Sequence, residues 1–184
     1  MVKGLKQFMS TFSTQPRVNI KMIKEVKEFI RKSKCPSIRF EDLDPRIAGI
    51  SKPDECVIST IVLQFPLEYF LYMILHEISH QYQYTKYGKD LVLDVYTTLD
   101  LDEATDRLLE IESIADRLAL LKMKSIFKSC DIPLYVVPNP RYLNMEDKTY
   151  MRNYVQTIKS DVIKYELSSI EEINNHIYKI NSID

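Results

Sequence analysis

The sequence predicts a helix-dominated α+β domain in which a small sheet lies beside one long central helix. Its 184 residues suit one domain with a single core, so we expect one domain over residues 1–184. Only three glycines occur, which favours long helices with few tight turns. Two short stretches typical of strands precede the longest helical pattern, and these observations together give the fold class.

Four segments are expected in the first 64 residues. Residues 1–17 have no clear period and are predicted to form an irregular arm. Residues 18–34 form an amphipathic helix, because apolar side chains recur every three or four positions. Residues 37–43 alternate apolar and polar side chains, as in a half-buried strand. Residues 56–64 are rich in Val, Ile and Thr, which predicts a second, more buried strand.

Two long helices are predicted in the middle of the chain. The first is the central helix, over residues 66–87. Pro66 suits its first turn, where a missing N–H costs nothing, and Gly88 suits a left-handed cap after its last turn. The second helix runs over residues 101–129 and begins at the capping-box pattern Asp100-x-x-Glu103.

The remaining segments connect or follow these helices. Residues 91–97 fit a short strand, although their apolar side chains also suit a loop packed on the core. Residues 133–142 contain three prolines and are expected to be extended. Residues 145–184 are predicted to be helical, over about 145–166 and then from the capping box Ser168-x-x-Glu171 to residue 180.

Composition and charge exclude several classes of function. The 25 Lys and Arg residues balance 26 Asp and Glu residues, so the formal net charge is -1 and no nucleic-acid partner is predicted. No apolar run is long enough for a membrane helix, and no membrane partner is expected. The three cysteines lack C-x-x-C spacing, which argues against a disulfide framework or a cysteine zinc site. The cytoplasm is the expected location, or the host cytoplasm for a phage-encoded chain.

A His-Glu-x-x-His motif lies in the middle of the predicted central helix. Four residues turn an α-helix through about 400°, so His76 and His80 project from one face, one turn apart. Two imidazoles in this arrangement can bind one tetrahedral Zn²⁺. Glu77 lies about 100° further round the helix, where its carboxylate can take a proton from a water molecule at the metal. The motif therefore predicts a zinc site with Glu77 as its catalytic base.

The next long helix carries two carboxylates four residues apart, Glu112 and Asp116. Glu112 would complete a His-His-Glu ligand set and leave the fourth metal position open for water. Asp116, one turn further on, could accept the second N–H of a ligand histidine and so fix its tautomer. Glu110 points about 160° away from Glu112 on a regular helix, but helical geometry alone does not exclude it as the ligand.

These motifs resemble the gluzincin branch of zinc metallopeptidases, in which HExxH on one helix is joined by Glu from an ExxxD segment on a later helix. Within that branch, residues 112–119 (ESIADRLA) are similar to the corresponding segment of the ImmA/IrrE family, with Leu118 in place of an aromatic residue. The resemblance implies a zincin-like fold and an intracellular zinc endopeptidase acting on a protein or peptide substrate. It also implies that the strand at 56–64 lies beside the cleft and binds substrate as an added strand.

A weaker resemblance connects residues 76–91 to SprT-like proteins, but Tyr87-Gly88 stands where those proteins have a third histidine. The alternative function is a catalytically inactive zincin fold, structural or regulatory, that uses zinc for stability. A separate alternative for Glu112 and Asp116 is an exposed helix face paired with Arg107, Arg117 or Lys122. Further candidates for stabilising a transition state are His176 and one of the helix tyrosines, namely Tyr69, Tyr72, Tyr82, Tyr84 and Tyr87. The oligomeric state is left open.

Overall fold

A computed structural model describes residues 2–139 and 145–181 of the chain. Its helices are α1 (Leu5–Phe12), α2 (Ile20–Lys32), α3 (Leu67–Tyr87), α4 (Leu93–Thr97), α5 (Leu101–Ser129), α6 (Met145–Lys164) and α7 (Ile170–Asn181). Its strands are β1 (Ile38–Glu41), β2 (Gly49–Lys52) and β3 (Glu55–Ser59). The helix-dominated α+β class is therefore confirmed. Within the described residues, no helix combines the length and apolar character needed to cross a bilayer.

The two long helices begin and end where the sequence predicts. Pro66 occupies the N-cap position of α3, one residue before the helix begins, and Gly88 follows the last turn with φ of 101° and ψ of 163°, which is a glycine conformation but not the left-handed helical cap expected. Asp100 caps α5, since its side chain accepts hydrogen bonds from the main-chain N–H groups of Asp102 and Glu103, both at 2.9 Å. These caps are local features, so they can be recognised from sequence alone.

The three strands form one mixed sheet in the order β1-β3-β2. β1 runs parallel to β3, and β2 pairs antiparallel with it. The prediction of a strand over 56–64 is correct only as far as Ser59, after which residues Thr60–Gln64 form a 3₁₀ helix that leads to Pro66. β2 was not predicted, because four residues with a glycine and a lysine show too little apolar alternation.

Residues 1–17 are not an irregular arm, and that prediction is wrong. α1 buries Leu5, Phe8, Met9 and Phe12, which recur with helical spacing. An eight-residue helix is marginal on its own, so it depends on tertiary packing rather than on propensity. Here α1 packs against β1, and the ring of Phe8 stacks on that of Phe40 at 4.6 Å between centroids.

The predicted strand at 91–97 is also wrong, because these residues contain the short helix α4. Val95 and Tyr96 are both buried although they are adjacent, which a half-buried strand would not allow. The capping box before α7 lies one residue later than predicted. The Glu172 N–H donates to Ser169 Oγ (3.2 Å), and the Ser169 N–H donates to Glu172 Oε2 (3.0 Å).

Residues 133–139, the described part of the segment predicted to be extended, contain no helix or strand, while residues 140–142 lie outside the described residues. This segment is tied to the core through Glu68, whose side chain is buried. Glu68 Oε1 accepts hydrogen bonds from Arg17 Nη1 (2.9 Å) and from the main-chain N–H of Tyr135 (3.2 Å). Burial raises the pKa of the Glu68 carboxyl, but these hydrogen bonds outweigh it and lower the pKa below its ordinary value.

We expect Glu68→Gln to destabilise the protein at pH 7 by about 1–2 kcal/mol, because it weakens hydrogen bonds to a charged carboxylate. Because the pKa of Glu68 is lower in the folded state than in the unfolded state, its carboxylate stabilises the fold at every pH above the unfolded-state pKa. This stabilisation is lost as the pH falls through the lower, folded-state pKa. The difference from wild type should therefore shrink below about pH 4. Urea unfolding at pH 7 and pH 3.5 measures it, with Glu28→Gln as an exposed control. An equal difference at both pH values would contradict this account.

Two clusters of buried apolar residues share helix α5. The first contains residues of α1, α2, the sheet and α3, together with Ala119, Met123, Ile126 and Phe127 from the C-terminal half of α5. The second contains residues of α4, α6 and α7, together with Ala104, Leu108 and Ile111 from the N-terminal half of α5. The stretch 112–116 thus lies where the two clusters meet, facing the middle of α3.

Candidate metal centre

Helices α3 and α5 bring the two histidines and one glutamate of the predicted ligand set together. α3 is buried on most of its surface, so the one-turn spacing of His76 and His80 places both imidazoles in the interior, 8% and 9% exposed. Their Nε2 atoms are 3.1 Å apart. Glu112 Oε2 lies 3.1 Å from His76 Nε2 and 3.4 Å from His80 Nε2.

These three distances fit a metal site. Zinc bonds to imidazole nitrogen and carboxylate oxygen at about 2.0–2.1 Å, so two ligand atoms of a tetrahedron are about 3.3 Å apart. The triangle of Nε2, Nε2 and Oε2 has sides of 3.1, 3.1 and 3.4 Å. The group is therefore able to hold a metal ion.

The other ring nitrogen of each histidine faces an acceptor. His76 Nδ1 lies 2.8 Å from Asp116 Oδ1, and His80 Nδ1 lies 2.8 Å from Gln83 Oε1. The amide group of Gln83 is oriented by a second hydrogen bond, from its Nε2 to the main-chain oxygen of Ile111 (2.8 Å). Both acceptors favour a proton on Nδ1, which leaves the Nε2 lone pairs for a metal. Asp116 thus lies where the sequence placed it, whereas Gln83 was missed.

A tyrosine of α3 holds the carboxylate of Asp116 from a second side. The hydroxyl of Tyr72 donates a hydrogen bond to Asp116 Oδ1, the same oxygen that His76 contacts. Among the five helix tyrosines named as candidates, Tyr84 alone lines the cavity beside the metal centre, within the described part of the chain. Its hydroxyl donates to the main-chain oxygen of Ser51 at 3.2 Å, so it fastens β2 to α3.

The electrostatics of the site favour a bound cation. Burial lowers the pKa of His76, but its hydrogen bonds to Asp116 and Glu112 raise the pKa more, to about 10. Burial raises the pKa of Glu112, yet the charge of His80 and the contact with His76 lower it well below its usual range. Without a metal, the site therefore holds a proton at neutral pH, and a metal ion that binds there displaces it.

Glu77 lies beside this triangle and lines the same cavity. Burial raises the pKa of its carboxyl, while the charges of His76 and His80 oppose that rise. Its position depends on Gly49 of β2, because a Cβ atom at residue 49 would lie 2.6 Å from Glu77 Cγ. Sequence reasoning missed Gly49, and the scarcity of glycine in the chain was the only signal that could have found it.

Two other candidates, Glu110 and His176, lie outside the centre. Glu110 is 58% exposed and pairs with Arg107 at 2.7 Å, whereas Glu112 is the carboxylate of α5 that lies next to the two histidines. Glu103, in the first turn of α5, is exposed. The structure does not bring His176 to the site: its Nε2 lies 2.9 Å from Asp161 Oδ2, and it is not among the residues that line the cavity.

The cavity beside the metal centre has a volume of about 980 Å³ with its mouth included. One part of its wall is polar and contains the metal centre with Glu77. The remaining wall comes from β2, from α3 to α7 and from the residues just before β2 and α4, and it mixes aliphatic side chains with tyrosines and two asparagines. A cavity that joins titratable groups to a partly apolar wall has the usual form of a site for a small molecule or peptide.

Comparisons with known proteins give no relative for this chain. No protein-family model matches it, and no curated protein sequence or solved structure is significantly similar to it. Similarity therefore does not establish a family, and any functional conclusion depends on the residues of the metal centre and its cavity.

Proposed function

We propose that the protein is a zinc-dependent endopeptidase with a zincin-like fold. The observation that carries this proposal is the triangle of two imidazoles and one carboxylate with Glu77 beside it, all lining one cavity. His76, His80 and Glu112 would hold the zinc, the ligand set that the gluzincin resemblance implies. When bound, zinc would polarise the scissile carbonyl and lower the pKa of water.

The residues of the chain supply the rest of the chemistry. Glu77 takes a proton from the attacking water and passes it to the leaving amine nitrogen. Asp116 and Gln83 hold the ligand histidines in one tautomer and one orientation.

The ligand count favours catalysis over a structural role for the metal. Structural zinc sites almost always use four protein ligands, whereas catalytic sites use three and leave one position open. Among the described residues, the group that could hold a metal contains His76, His80 and Glu112 and no fourth His, Cys, Asp or Glu. The open position would face the cavity, where a substrate carbonyl and a water molecule can enter.

The substrate strand would bind to β2 and not to β3, which corrects the expectation from sequence. β3 is the central strand, and both of its edges are already paired. The Ser59 N–H donates to the main-chain oxygen of Ala48, so Ala48 is hydrogen-bonded to β3. In an antiparallel pair every second residue has its main-chain N–H and C=O directed towards the partner strand. The main-chain groups of Gly49 and Ser51 are therefore directed away from β3. Gly49 therefore offers an edge, directly beside Glu77, to which an extended peptide can add.

The test is hydrolysis of a peptide mixture by the zinc-loaded full chain. The mixture is a tryptic digest of bacterial proteins, and new termini are identified by mass spectrometry. We expect cleavage that stops when a chelator removes the zinc and returns when zinc is restored. Absence of cleavage by protein that holds one zinc per chain, both on the digest and on the intact proteins, would overturn the proposal.

Gly49→Ala should reduce hydrolysis about 100-fold, because the new Cβ would displace the Glu77 side chain, and a displacement of about 1 Å in an active site can cost that much. Zinc content should stay at the wild-type level, since none of the three ligands is on β2. Initial rates and metal analysis of the two proteins measure this. Activity within a factor of two of wild type would show that the contact between Gly49 and Glu77 is unimportant.

A further inference from the structure

Positive charge is concentrated on two helix segments of this protein. The formal net charge of the chain is -1. Residues 20–32, which form α2, and residues 117–129, the C-terminal part of α5, together contain nine Lys and Arg residues but two Asp and Glu residues. The remainder of the chain is therefore acidic. A net charge near zero does not exclude an anionic partner, because the partner meets one surface and not the average of the molecule.

The tertiary structure places these two segments side by side, running in opposite directions. Asn19, which caps the start of α2, donates a hydrogen bond from Nδ2 to the main-chain oxygen of Cys130 at the end of α5 (3.3 Å). Further along α2, Glu25 Oε2 lies 3.0 Å from Lys122 Nζ of α5. Both segments bury their apolar sides in the first apolar cluster, so their exposed sides point outward from it.

Most of the basic side chains on this surface have no acidic partner. The two acidic residues are already paired, Glu25 with Lys122 and Glu28 with Lys32 at 3.4 Å. The other seven basic side chains form no ion pair with a described residue, and all are exposed except one that is half-buried. We call them the basic face: α2 supplies Lys21, Lys24, Lys27 and Arg31. From α5 come Arg117, Lys124 and Lys128.

The cations of each helix form a row along its axis. On α2, Lys24 lies three residues before Lys27 and seven before Arg31, so the three lie within about 60° of one another round the helix. The three cations of α5 are seven and four residues apart, which places them within about 40°. Each row extends about 15 Å along its helix. Duplex DNA carries about nine phosphate charges over the same length.

We propose that the basic face binds the phosphate backbone of double-stranded nucleic acid without selecting its sequence. Cations that neutralise phosphates release the counterions condensed on the duplex, and this release drives binding. Five of the seven side chains are lysines, which bind phosphate as point charges. The inference replaces the expectation, drawn from net charge, of no nucleic-acid partner. It does not depend on the proposed peptidase, because no residue of the basic face is among the described residues that line the cavity.

The other side chains of this surface favour a duplex over other anionic partners. Protein interfaces are enriched in aromatic residues and depleted in Lys, whereas the large apolar side chains exposed on the two segments, all of them described, are Ile20 and Leu121. A helix that binds a membrane surface inserts its apolar side, but the apolar sides of α2 and α5 are buried in the core. Single strands stack their bases on aromatic rings, and neither segment exposes one.

The test is the binding of a fluorescein-labelled DNA duplex to the full chain, measured by fluorescence anisotropy at several salt concentrations. We expect a Kd of about 1–100 µM near physiological salt, and a slope of log K against log salt of about -4 or steeper. Lys24→Gln with Arg31→Gln, and Lys124→Gln with Lys128→Gln, should each weaken binding at least about tenfold and make the slope shallower by about 2. Lys164→Gln with Lys179→Gln removes the same charge from exposed positions of α6 and α7 and should leave binding unchanged.

Absence of duplex binding at low salt, or an equal loss of binding in the control pair and in the basic-face pairs, would overturn this inference. Tighter binding of a single strand of the same length would overturn the choice of a duplex. Binding to phosphatidylserine vesicles without binding to the duplex would identify a membrane as the partner and overturn the inference as well. A wild-type protein that binds the duplex but hydrolyses no peptide would leave the inference standing and overturn the peptidase alone.

Discussion

Glu77→Gln is expected to lower peptide hydrolysis about 1000-fold while the protein keeps one zinc per chain. General acid–base catalysis contributes roughly 10²- to 10⁴-fold, and glutamine keeps the shape of the side chain but cannot carry the proton. The fold should tolerate the change, because burial already disfavours the charged form of this carboxyl. Initial rates, metal analysis and thermal unfolding of the two proteins provide the measurement.

Glu103→Gln is the matched control, because it removes an exposed carboxylate from α5 and should leave the rate unchanged. A Glu77→Gln protein that retains its zinc and hydrolyses peptides at more than a tenth of the wild-type rate would remove Glu77 from the mechanism. The same protein without zinc would instead point to a structural role for this carboxylate at the metal centre.

His80→Ala and Glu112→Gln should each weaken zinc binding about 100- to 1000-fold. Zinc sites with four ligands bind with roughly 10–16 kcal/mol, which averages about 2.5–4 kcal/mol for each ligand. Loss of one ligand from a set of three leaves too few to complete the site. Competition with a chromophoric chelator gives the affinities, and elemental analysis gives the zinc content of each purified variant.

The chain offers a control for each ligand variant. His176→Ala removes a histidine that pairs with Asp161, and Glu110→Gln removes a carboxylate that pairs with Arg107, so both should bind zinc as the wild type does. Zinc affinity equal in all five proteins would mean that this triangle is not the metal site. Zinc lost equally from the control variants would also exclude the triangle, since neither control touches it.

The sequence was most informative where a feature is local to one helix. The spacing of His76 and His80 places both side chains on one face of α3, and Glu112 and Asp116 share one face of α5 for the same reason. Helix caps at Pro66 and Asp100 are local as well. Short elements were predicted less well: α1, α4 and β2 have between four and eight residues, and their form depends on what packs against them.

The amino-acid sequence by itself determined which residues can bind a metal, because helical periodicity fixes the face on which each side chain lies. Only the tertiary structure decided which carboxylate of α5 meets the histidines. Glu112 lies on the face of α5 that packs against α3, whereas Glu110 lies on an exposed face and pairs with Arg107. It also decided the contacts of Gln83 and Gly49. Such contacts join elements distant in sequence, and no local period specifies the packing that brings them together.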